Sequence, residues 1–159
     1  MHESLIRFVE AESDCFERSL QIGHVTGSAW IVDRSCKQAL LTHHNKLDRW
    51  LQLGGHADGD PDILRVALRE AREESGLENI RPLSEAIFDV DVHPIPTRGS
   101  EPGHFHYDVR FMLEADSDKP LVISNESKDL IWVPLAGITQ VTTERSIIRM
   151  AAKALAWSD

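Results

Sequence analysis

Three glutamates close together on one predicted helix constrain this chain more than any other feature. Glu70, Glu73 and Glu74 lie near the end of the stretch from Gly54 to Leu77, GGHADGDPDILRVALREAREESGL. Residues three and four apart are neighbours on one helical face, so these carboxylates would repel one another. A hard divalent cation with oxygen ligands reverses that repulsion. The pattern therefore predicts a Mg²⁺ site, with a solvated face of intrahelical ion pairs as the alternative.

The ends of this helix are marked by residues that favour helix termini. Asp60 is a good N-cap, and Pro61 suits the first helical position because its missing N–H would have no partner there. Gly76 is a favourable C-terminal cap. Between these ends we expect an apolar stripe that packs on a sheet, a basic face and the acidic face. The stripe comprises Leu64, Leu68 and Ala71, and the basic face comprises Arg65, Arg69 and Arg72.

The residues around the glutamates resemble the signature of the Nudix hydrolases, the MutT-related family. That signature is a Gly, five residues, a Glu, seven residues, Arg-Glu, an aliphatic residue, any residue, Glu-Glu, any residue, Gly and an aliphatic residue. Gly55 and the run from Arg69 to Leu77 match it without gaps. The one departure is Pro61, which stands where the signature has its early Glu.

This resemblance implies a fold and an activity. The fold would be α/β, a Nudix-type α/β/α sandwich with a mixed β-sheet between helices. We expect a single domain over residues 1–159, with an N-terminal helical segment at 1–22 and the Nudix box at 54–77. The activity would be Mg²⁺-dependent hydrolysis of a phosphoanhydride bond in a nucleoside diphosphate linked to another moiety, or in a related diphosphate. Mn²⁺ is the expected substitute for Mg²⁺.

The resemblance also assigns metal ligands. Glu73 and Glu74 match the main Mg²⁺ ligands of the family. Glu70 matches a further ligand that in some members acts as the base that activates water, and the carbonyl of Gly55 matches an additional ligand. Many members carry one more Glu in the loop before a late strand. Glu126 is the first candidate here and Asp129 the second, and a plain surface loop is the alternative.

Arg69 matches the arginine that orients the family's glutamates through an ion pair. Its partner there is normally the early Glu, which Pro61 replaces in this chain. Asp60 or Asp62 is then the expected replacement, one residue to either side. The departure affects the ion pair that orients the glutamates more than it affects the metal-binding carboxylates themselves.

A second group of polar residues lies on two strands with strict alternation, Ser84–Thr97 and His104–Leu113. Paired antiparallel strands of this kind carry one apolar and one polar face. We expect the polar face to line the substrate cleft, with a solvent-exposed sheet face as the alternative. His56, just after the Gly pair, would approach the same region. The expected substrate-binding residues are His56, Asp91, His93, His104, His106, Asp108 and Arg110, and Asp89 shares their face.

Histidine side chains leave the chemistry of this cleft open. A histidine binds phosphate when protonated and a metal when neutral. The His104-x-His106 spacing places two rings on one side of a strand, which also suits zinc.

The remaining pattern predicts the outer elements. Hydrophobic spacing indicates a helix within residues 3–20 and an amphipathic helix at Thr142–Trp157. Runs rich in β-branched and aromatic residues indicate a hairpin of strands 25–33 and 37–43. Shorter strands are expected at 50–53, 121–124 and 130–134.

Composition excludes several classes of protein. The net charge of −9 argues against non-specific binding of nucleic acid. No apolar run approaches the roughly 20 residues of a membrane span. The acidic N-terminal stretch is unlike a signal peptide, and Cys15 and Cys36 are expected to be reduced thiols. We therefore expect a cytoplasmic monomer or homodimer whose partner is a small diphosphate, with no membrane or stable nucleic-acid partner.

Two competing functions share the expected fold. One is a non-catalytic Nudix-like ligand sensor or regulator, which loss of the box glutamates would favour. The other is an enzyme similar to isopentenyl-diphosphate isomerase, which has a histidine near the position of His56. That family uses a cysteine close to this histidine, where the present chain has Gly54-Gly55.

Overall fold

Eight strands form one mixed sheet in the computed structural model, which describes residues 1–157. The helices are α1 (His2–Ala11), α2 (Ile63–Ser75) and α3 (Arg145–Trp157), and a 3-10 helix spans Leu135–Gln140. The strands are β1 (Gly23–Asp33), β2 (Gln38–His44), β3 (Arg49–Leu51), β4 (Leu53–His56), β5 (Arg81–Pro82), β6 (Asp89–Ile95), β7 (His104–Ala115) and β8 (Ser127–Pro134). None of the helices in this described part is long and apolar enough to cross a membrane.

Strand β1 is the centre of the sheet. It runs parallel to β7 over its whole length, from the pair Gly23–Phe105 to the pair Asp33–Ala115. Its other edge is shared by β4, which pairs antiparallel with Thr26–Ala29, and by β2, which pairs at Val32. Strand β6 extends the sheet beyond β7, and β8 extends it beyond β2. The parallel pair among antiparallel strands confirms the predicted mixed sheet.

Two apolar cores lie on the two faces of this sheet. Successive side chains of a strand point to opposite faces, so Ala29 and Ile31 join one core while Trp30 and Val32 join the other. Helices α1 and α2 cover the first core, and α3 and the 3-10 helix cover the second. Helices on both faces confirm the predicted α/β/α sandwich.

Helix α2 begins later than predicted. Asp62, not Asp60, is its N-cap and accepts a hydrogen bond from the backbone N–H of Arg65 at 3.1 Å. Asp60 accepts from the backbone N–H of Asp62, which makes a turn before the helix. The C-terminal cap is confirmed, because Gly76 has φ 71° and its N–H donates to the carbonyl of Arg72.

The buried face of α2 is wider than the predicted stripe. Ala71 is fully buried, and Leu64 and Leu68 are half-buried and pack against the edge of the first core. The face that packs on the sheet consists of Ile63, Val66, Ala67 and Ala71, continued by Glu74 and Ser75.

Other boundaries differ from the predictions for local reasons. Helix α1 ends at Ala11, and turns occupy most of the stretch from there to β1, so the helical segment is shorter than the predicted 1–22. Residues 121–124 form no strand, and the N–H of Val122 donates instead to the carbonyl of Ser75 at 2.8 Å. Helix α3 begins at Arg145, because Thr142 lies in a loop and accepts from the N–H of Glu144.

Candidate active site

Helix α2 and strand β4 position the predicted metal-binding glutamates. Glu74 is only 7% exposed, and its Oε1 accepts a hydrogen bond from the N–H of Gly54 at 2.8 Å. The carboxylate of Glu70 lies against Gly55, where an added Cβ would be 2.5 Å from the Glu70 carboxyl carbon. Glu73, one residue before Glu74, is exposed. The helix thus presents one buried, one half-buried and one exposed carboxylate to the end of β4.

The charges of these groups act on one another. Burial raises the pKa of Glu74 to about 8, although the Gly54 N–H opposes this, and Glu70, Glu126 and Glu73 raise it further by repulsion. Burial also raises the pKa of Glu70, with the hydrogen bond from Arg69 opposing and the charges of Glu73 and Glu126 adding to the effect. The protein therefore holds several carboxylates that destabilise one another, and a bound cation would relieve that cost.

Arg69 connects the acidic group to the end of β4. Its Nη2 donates to the carbonyl of His56 at 2.7 Å and to Oε1 of Glu70 at 2.8 Å. The Nε of Arg65 donates to Oδ2 of Asp60 at 2.8 Å, and Asp62 is the N-cap of α2. Neither aspartate makes a hydrogen bond to Arg69, so Glu70 itself is the carboxylate partner of Arg69 in this chain.

Glu126 lies in the turn before β8, where the resemblance placed the additional glutamate. Its backbone carbonyl accepts from the N–H of Asn45 at 2.9 Å, and its side chain is exposed. Its charge acts on both Glu70 and Glu74, so the fold brings this loop to the acidic face of α2.

The polar residues of β6 and β7 are brought side by side. The register pairs Asp89 with Arg110, Asp91 with Asp108, and His93 with His106. The predicted antiparallel pair is confirmed.

Arg110 and Asp108 are the buried centre of this polar surface. The Nε of Arg110 donates to Oδ2 of Asp108 at 2.7 Å, and its Nη1 lies 3.5 Å from Oδ2 of Asp89. Oδ1 of Asp108 accepts from the hydroxyls of Thr26 and Ser28, each at 2.8 Å. The Arg110 side chain is only 3% exposed. These residues form a closed network beneath the surface, with partners inside the protein.

Asp91 and His93 lie nearer to solvent. His93 Nδ1 is 3.1 Å from Oδ2 of Asp91, and Arg149 of α3 reaches Oδ1 of Asp91 at 3.1 Å. The hydrogen bond with His93 is the main cause that holds the pKa of Asp91 well below its usual range; burial opposes it, and Arg110 and Arg149 add to it. Asp91 is therefore an ionised carboxylate at neutral pH.

A histidine cluster lies beside this network and consists of His24, His56, His104 and His106. The ring of His24 is 5.1 Å from that of His56, 5.0 Å from that of His104 and 4.8 Å from that of His106, measured between centroids. His56, His104 and His106 were expected on this surface, whereas His24 was not. A signal for it existed, because His24, Thr26 and Ser28 alternate with apolar and glycine residues at the start of β1.

Burial favours the neutral form of three rings in the cluster, those of His24, His56 and His106. It lowers the pKa of His24 to about 4, and the charges of His56, His104 and Arg18 lower it further. Burial is also the largest cause that lowers the pKa of His56 and His106. Neutral imidazoles offer a phosphate no positive charge, but they are metal ligands.

Arg18 and Asp58 are further candidates that the sequence pattern did not reveal. The guanidinium of Arg18 donates from Nε to Oδ1 of Asp58 at 2.6 Å and from Nη2 to Oδ2 at 2.8 Å. The charge of Arg18 acts on His24 and His56, and Glu70 acts on Arg18 in turn. Arg18 is therefore a cation whose charge reaches both the histidine cluster and Glu70, in a turn with no distinctive motif.

Comparison with known proteins places this geometry in a family. A family model described as the NUDIX domain matches residues 24–152. A comparison with curated protein sequences finds no match to this chain.

Solved structures share the fold. An Ap4A hydrolase from C. elegans, solved as a binary complex, superposes with a TM-score of 0.66 at 15% identity, covering 84% of this chain and 96% of that one. A NUDIX-family hydrolase from Clostridium perfringens gives 0.62 at 22% identity, covering 86% and 98%. The NUDIX domain of Shewanella oneidensis NrtR, complexed with ADP ribose, gives 0.62 at 15% identity, covering 97% and 98%.

The family match includes the whole stretch from Gly54 to Leu77, which α2 and β4 fold into one acidic site. The prediction of a Nudix-type enzyme is confirmed at the level of family and fold. The chain belongs to the NUDIX domain family.

Proposed function

We propose that this protein hydrolyses a phosphoanhydride bond in a nucleoside diphosphate linked to another moiety, or in a related small diphosphate, with Mg²⁺ as its metal and Mn²⁺ as the substitute. One observation carries the proposal: the carboxylates of Glu70 and Glu74 converge on the Gly54-Gly55 backbone, where burial and the charges of Glu73 and Glu126 raise the pKa of both. A buried group of like charges has no structural benefit, whereas it suits a site for a hard cation.

The donors in this group fit Mg²⁺. Carboxylate and carbonyl oxygens are the ligands that hard divalent cations prefer. The residues that would hold the ion are Glu70, Glu73, Glu74, Glu126 and the carbonyl of Gly55. When bound, Mg²⁺ supplies positive charge that stabilises the negative charge of the diphosphate.

The chain itself contributes positioning and a base. Water attacks one phosphorus, the bridging P–O bond breaks, and two phosphate-containing products leave. Glu70 is the proposed base that takes the proton of the attacking water, and Arg69 holds its carboxylate in place through Oε1. No covalent nucleophile is required, because phosphoryl transfer depends mainly on positioning and electrostatics.

The polar surface of β6 and β7 would contact the rest of the substrate. His93, whose side chain is 39% exposed, and its partner Asp91 are proposed to face the substrate. His56, His104 and His106 complete the lining. Asp108 and Arg110 are proposed to position this lining rather than to touch the substrate, because both are buried and have partners within the protein.

Two structural relatives support a nucleotide substrate class. One is named as a hydrolase of Ap4A, and another binds ADP ribose. Both compounds contain a nucleoside joined through a phosphoanhydride to a further group. That shared chemistry is the proposed substrate class for this chain.

The test is a substrate panel on the wild-type protein. Nucleotide sugars, dinucleoside polyphosphates, coenzymes and nucleoside triphosphates are incubated with Mg²⁺ or Mn²⁺, and phosphate-containing products are separated by ion-exchange chromatography. We expect turnover of at least one compound, its loss with a chelator and its recovery on addition of Mg²⁺. If no compound of the panel gives a product with any divalent metal, the proposed hydrolase activity is wrong. Binding of a panel member without turnover would identify the protein as a ligand sensor.

A further inference from the structure

Four histidines from three strands form a cluster that is separate from the glutamates of α2. His24 is on β1, His56 on β4, and His104 and His106 on β7. Nitrogen atoms of His24, His56 and His106 all lie within 4.8 Å of one another. Metal ligands contributed by separate strands are held by the sheet rather than by a flexible loop. The cluster therefore has the preorganisation that a metal site needs.

The buried ring of His24 lacks the hydrogen-bond partners that a histidine with a purely structural role would have. The residue is only 2% exposed, yet within residues 1–157 neither Nδ1 nor Nε2 of its ring makes a hydrogen bond of good geometry, and the backbone of Leu20 is a weak partner only. A buried polar group without a partner costs free energy of about 1–3 kcal/mol. An ion bound to one of these nitrogens would supply the missing partner.

His104 is oriented as metal-ligating histidines commonly are. Its Nδ1 lies 3.0 Å from the carbonyl of Pro102, so it donates its proton there and leaves a lone pair on Nε2. That Nε2 is 3.3 Å from Nε2 of His106. Zn–N bonds of about 2.0–2.1 Å place two nitrogens roughly 3.3–3.4 Å apart at a tetrahedral ion. Two of the four rings already have the separation of a zinc-bound pair.

We propose that His24, His56 and His106, with His104 beside them, bind a transition-metal ion that prefers nitrogen ligands, and that this ion is Zn²⁺. Imidazole suits zinc and related first-row metals, whereas Mg²⁺ and Ca²⁺ prefer oxygen. The nitrogens of His24, His56 and His106 lie within 4.8 Å of one another, so binding would draw the half-buried His56 and His106 towards the ion.

This site is separate from the glutamates. His56 pairs with Thr26, whose hydroxyl donates to Asp108, so His56 lies on the polar face of the sheet. Gly55, the residue before it, faces α2 and Glu70. Successive strand residues point to opposite faces, so the zinc site and the magnesium site occupy opposite sides of β4. Because His56, His104 and His106 are also proposed to line the substrate cleft, the zinc ion would lie within that lining. Zinc binding is tested without substrate, so its outcome does not depend on the hydrolase activity.

The test uses tag-free protein, because the chain has eight histidines of its own and a tag would add a competing site. The protein is stripped with a chelator and held in excess Mg²⁺, which occupies the carboxylate ligands. Co²⁺ is added first as a spectroscopic probe, and Zn²⁺ is then added in competition with a chromophoric chelator. We expect one equivalent of Co²⁺ with the visible spectrum of nitrogen coordination, its displacement by Zn²⁺, and a higher Tm with Zn²⁺.

Matched variants locate the binding. His24→Gln, His56→Gln and His106→Gln should each weaken Zn²⁺ at least about 100-fold and remove the rise in Tm. His43→Gln is the control, because His43 interacts with Asp48 and Trp50 outside the cluster and should keep the site. Glu73→Gln should also keep it.

Two outcomes would overturn the proposal: wild-type protein that binds no Zn²⁺ in excess Mg²⁺, or Zn²⁺ affinity that is unchanged in the histidine variants. If His24→Gln does not fold, the double variant His56→Gln/His106→Gln decides, because both side chains are only half-buried.

Discussion

The carboxylate of Glu70 packs against Gly55 so closely that no side chain fits between them. An added Cβ at Gly55 would lie 2.5 Å from both the carboxyl carbon and Oε2 of Glu70. The glycine of the family signature is therefore required here by its lack of a side chain. It brings the backbone of β4, including a candidate carbonyl ligand, next to the carboxylates of α2.

Gly55→Ala should damage activity more than stability. The new methyl group must displace the carboxylate of Glu70, which is the end of a flexible side chain, so we expect a loss of only about 1 kcal/mol in the free energy of unfolding. The rate of hydrolysis should fall by more than the loss of stability explains, because Glu70 is the proposed base. Gly137→Ala is the control, since an added Cβ there meets nothing within 4 Å. Urea unfolding and kcat measured on both variants check this; equal effects of the two would contradict it.

Glu74→Gln should lower the activity without lowering the stability of the protein. The change removes a buried carboxyl whose pKa is raised to about 8 by burial, so the metal-free variant should be as stable as wild type or more stable. Loss of a metal ligand should lower kcat/KM on the order of 10³-fold, which corresponds to several kcal/mol. Thermal unfolding in chelator and steady-state kinetics in Mg²⁺ check the two halves. The exposed Glu78→Gln should change neither, and an active Glu74→Gln would contradict the assigned ligand role.

Asp89→Asn should destabilise the whole fold. Asp89 is buried, accepts from Nη2 of Arg149 at 2.6 Å, pairs with Lys153 and faces Arg110 at 3.5 Å. Neutralising it leaves the guanidinium of Arg110 buried with less compensating charge. We expect a loss of about 3–5 kcal/mol in the free energy of unfolding. Urea unfolding measures it, with the exposed Asp118→Asn as the control. A loss no larger than that of the control would show that Asp108 and Asp91 suffice for Arg110.

Asp33→Asn tests a pH-dependent contribution to stability far from the active site. Burial raises the pKa of Asp33, but the hydroxyl of Ser35 and the backbone N–H groups of Gln38, Lys37 and Ser35 together lower it below the ordinary value of 3.8. A lowered carboxyl pKa stabilises the fold above the pKa of the unfolded chain, and that contribution is lost as pH falls through the folded pKa.

The variant should therefore lose about 1–3 kcal/mol at pH 7, because hydrogen bonds to a carboxylate are replaced by weaker ones. The difference from wild type should shrink below about pH 4. Urea midpoints at pH 7 and pH 3 measure both values. A difference that does not change with pH would contradict the role of the ionised carboxylate.

Much of the acidic site was predictable because its residues are neighbours along the chain. Glu70, Glu73 and Glu74 share a helical face through local periodicity, and Gly76 caps that helix because a glycine adopts φ 71° without strain. The alternation in β6 and β7 likewise predicted their shared polar face. The start of α2 was not predictable in this way, because Asp60 and Asp62 are both good caps; in the fold Asp62 accepts from the backbone N–H of Arg65, and Asp60 accepts from its guanidinium.

The tertiary structure decided which distant residues complete each site. Sequence spacing could not reveal that Arg69 bonds to Glu70 and the carbonyl of His56, nor that Arg18 pairs with Asp58. His24 reached the histidine cluster only because β1 runs parallel to β7 with His24 beside His106. Periodicity along one strand determines the face on which a side chain lies, whereas the partner across the sheet depends on topology and register. By itself, the sequence thus determined the acidic helix and the face on which its glutamates lie, and the fold decided what surrounds them.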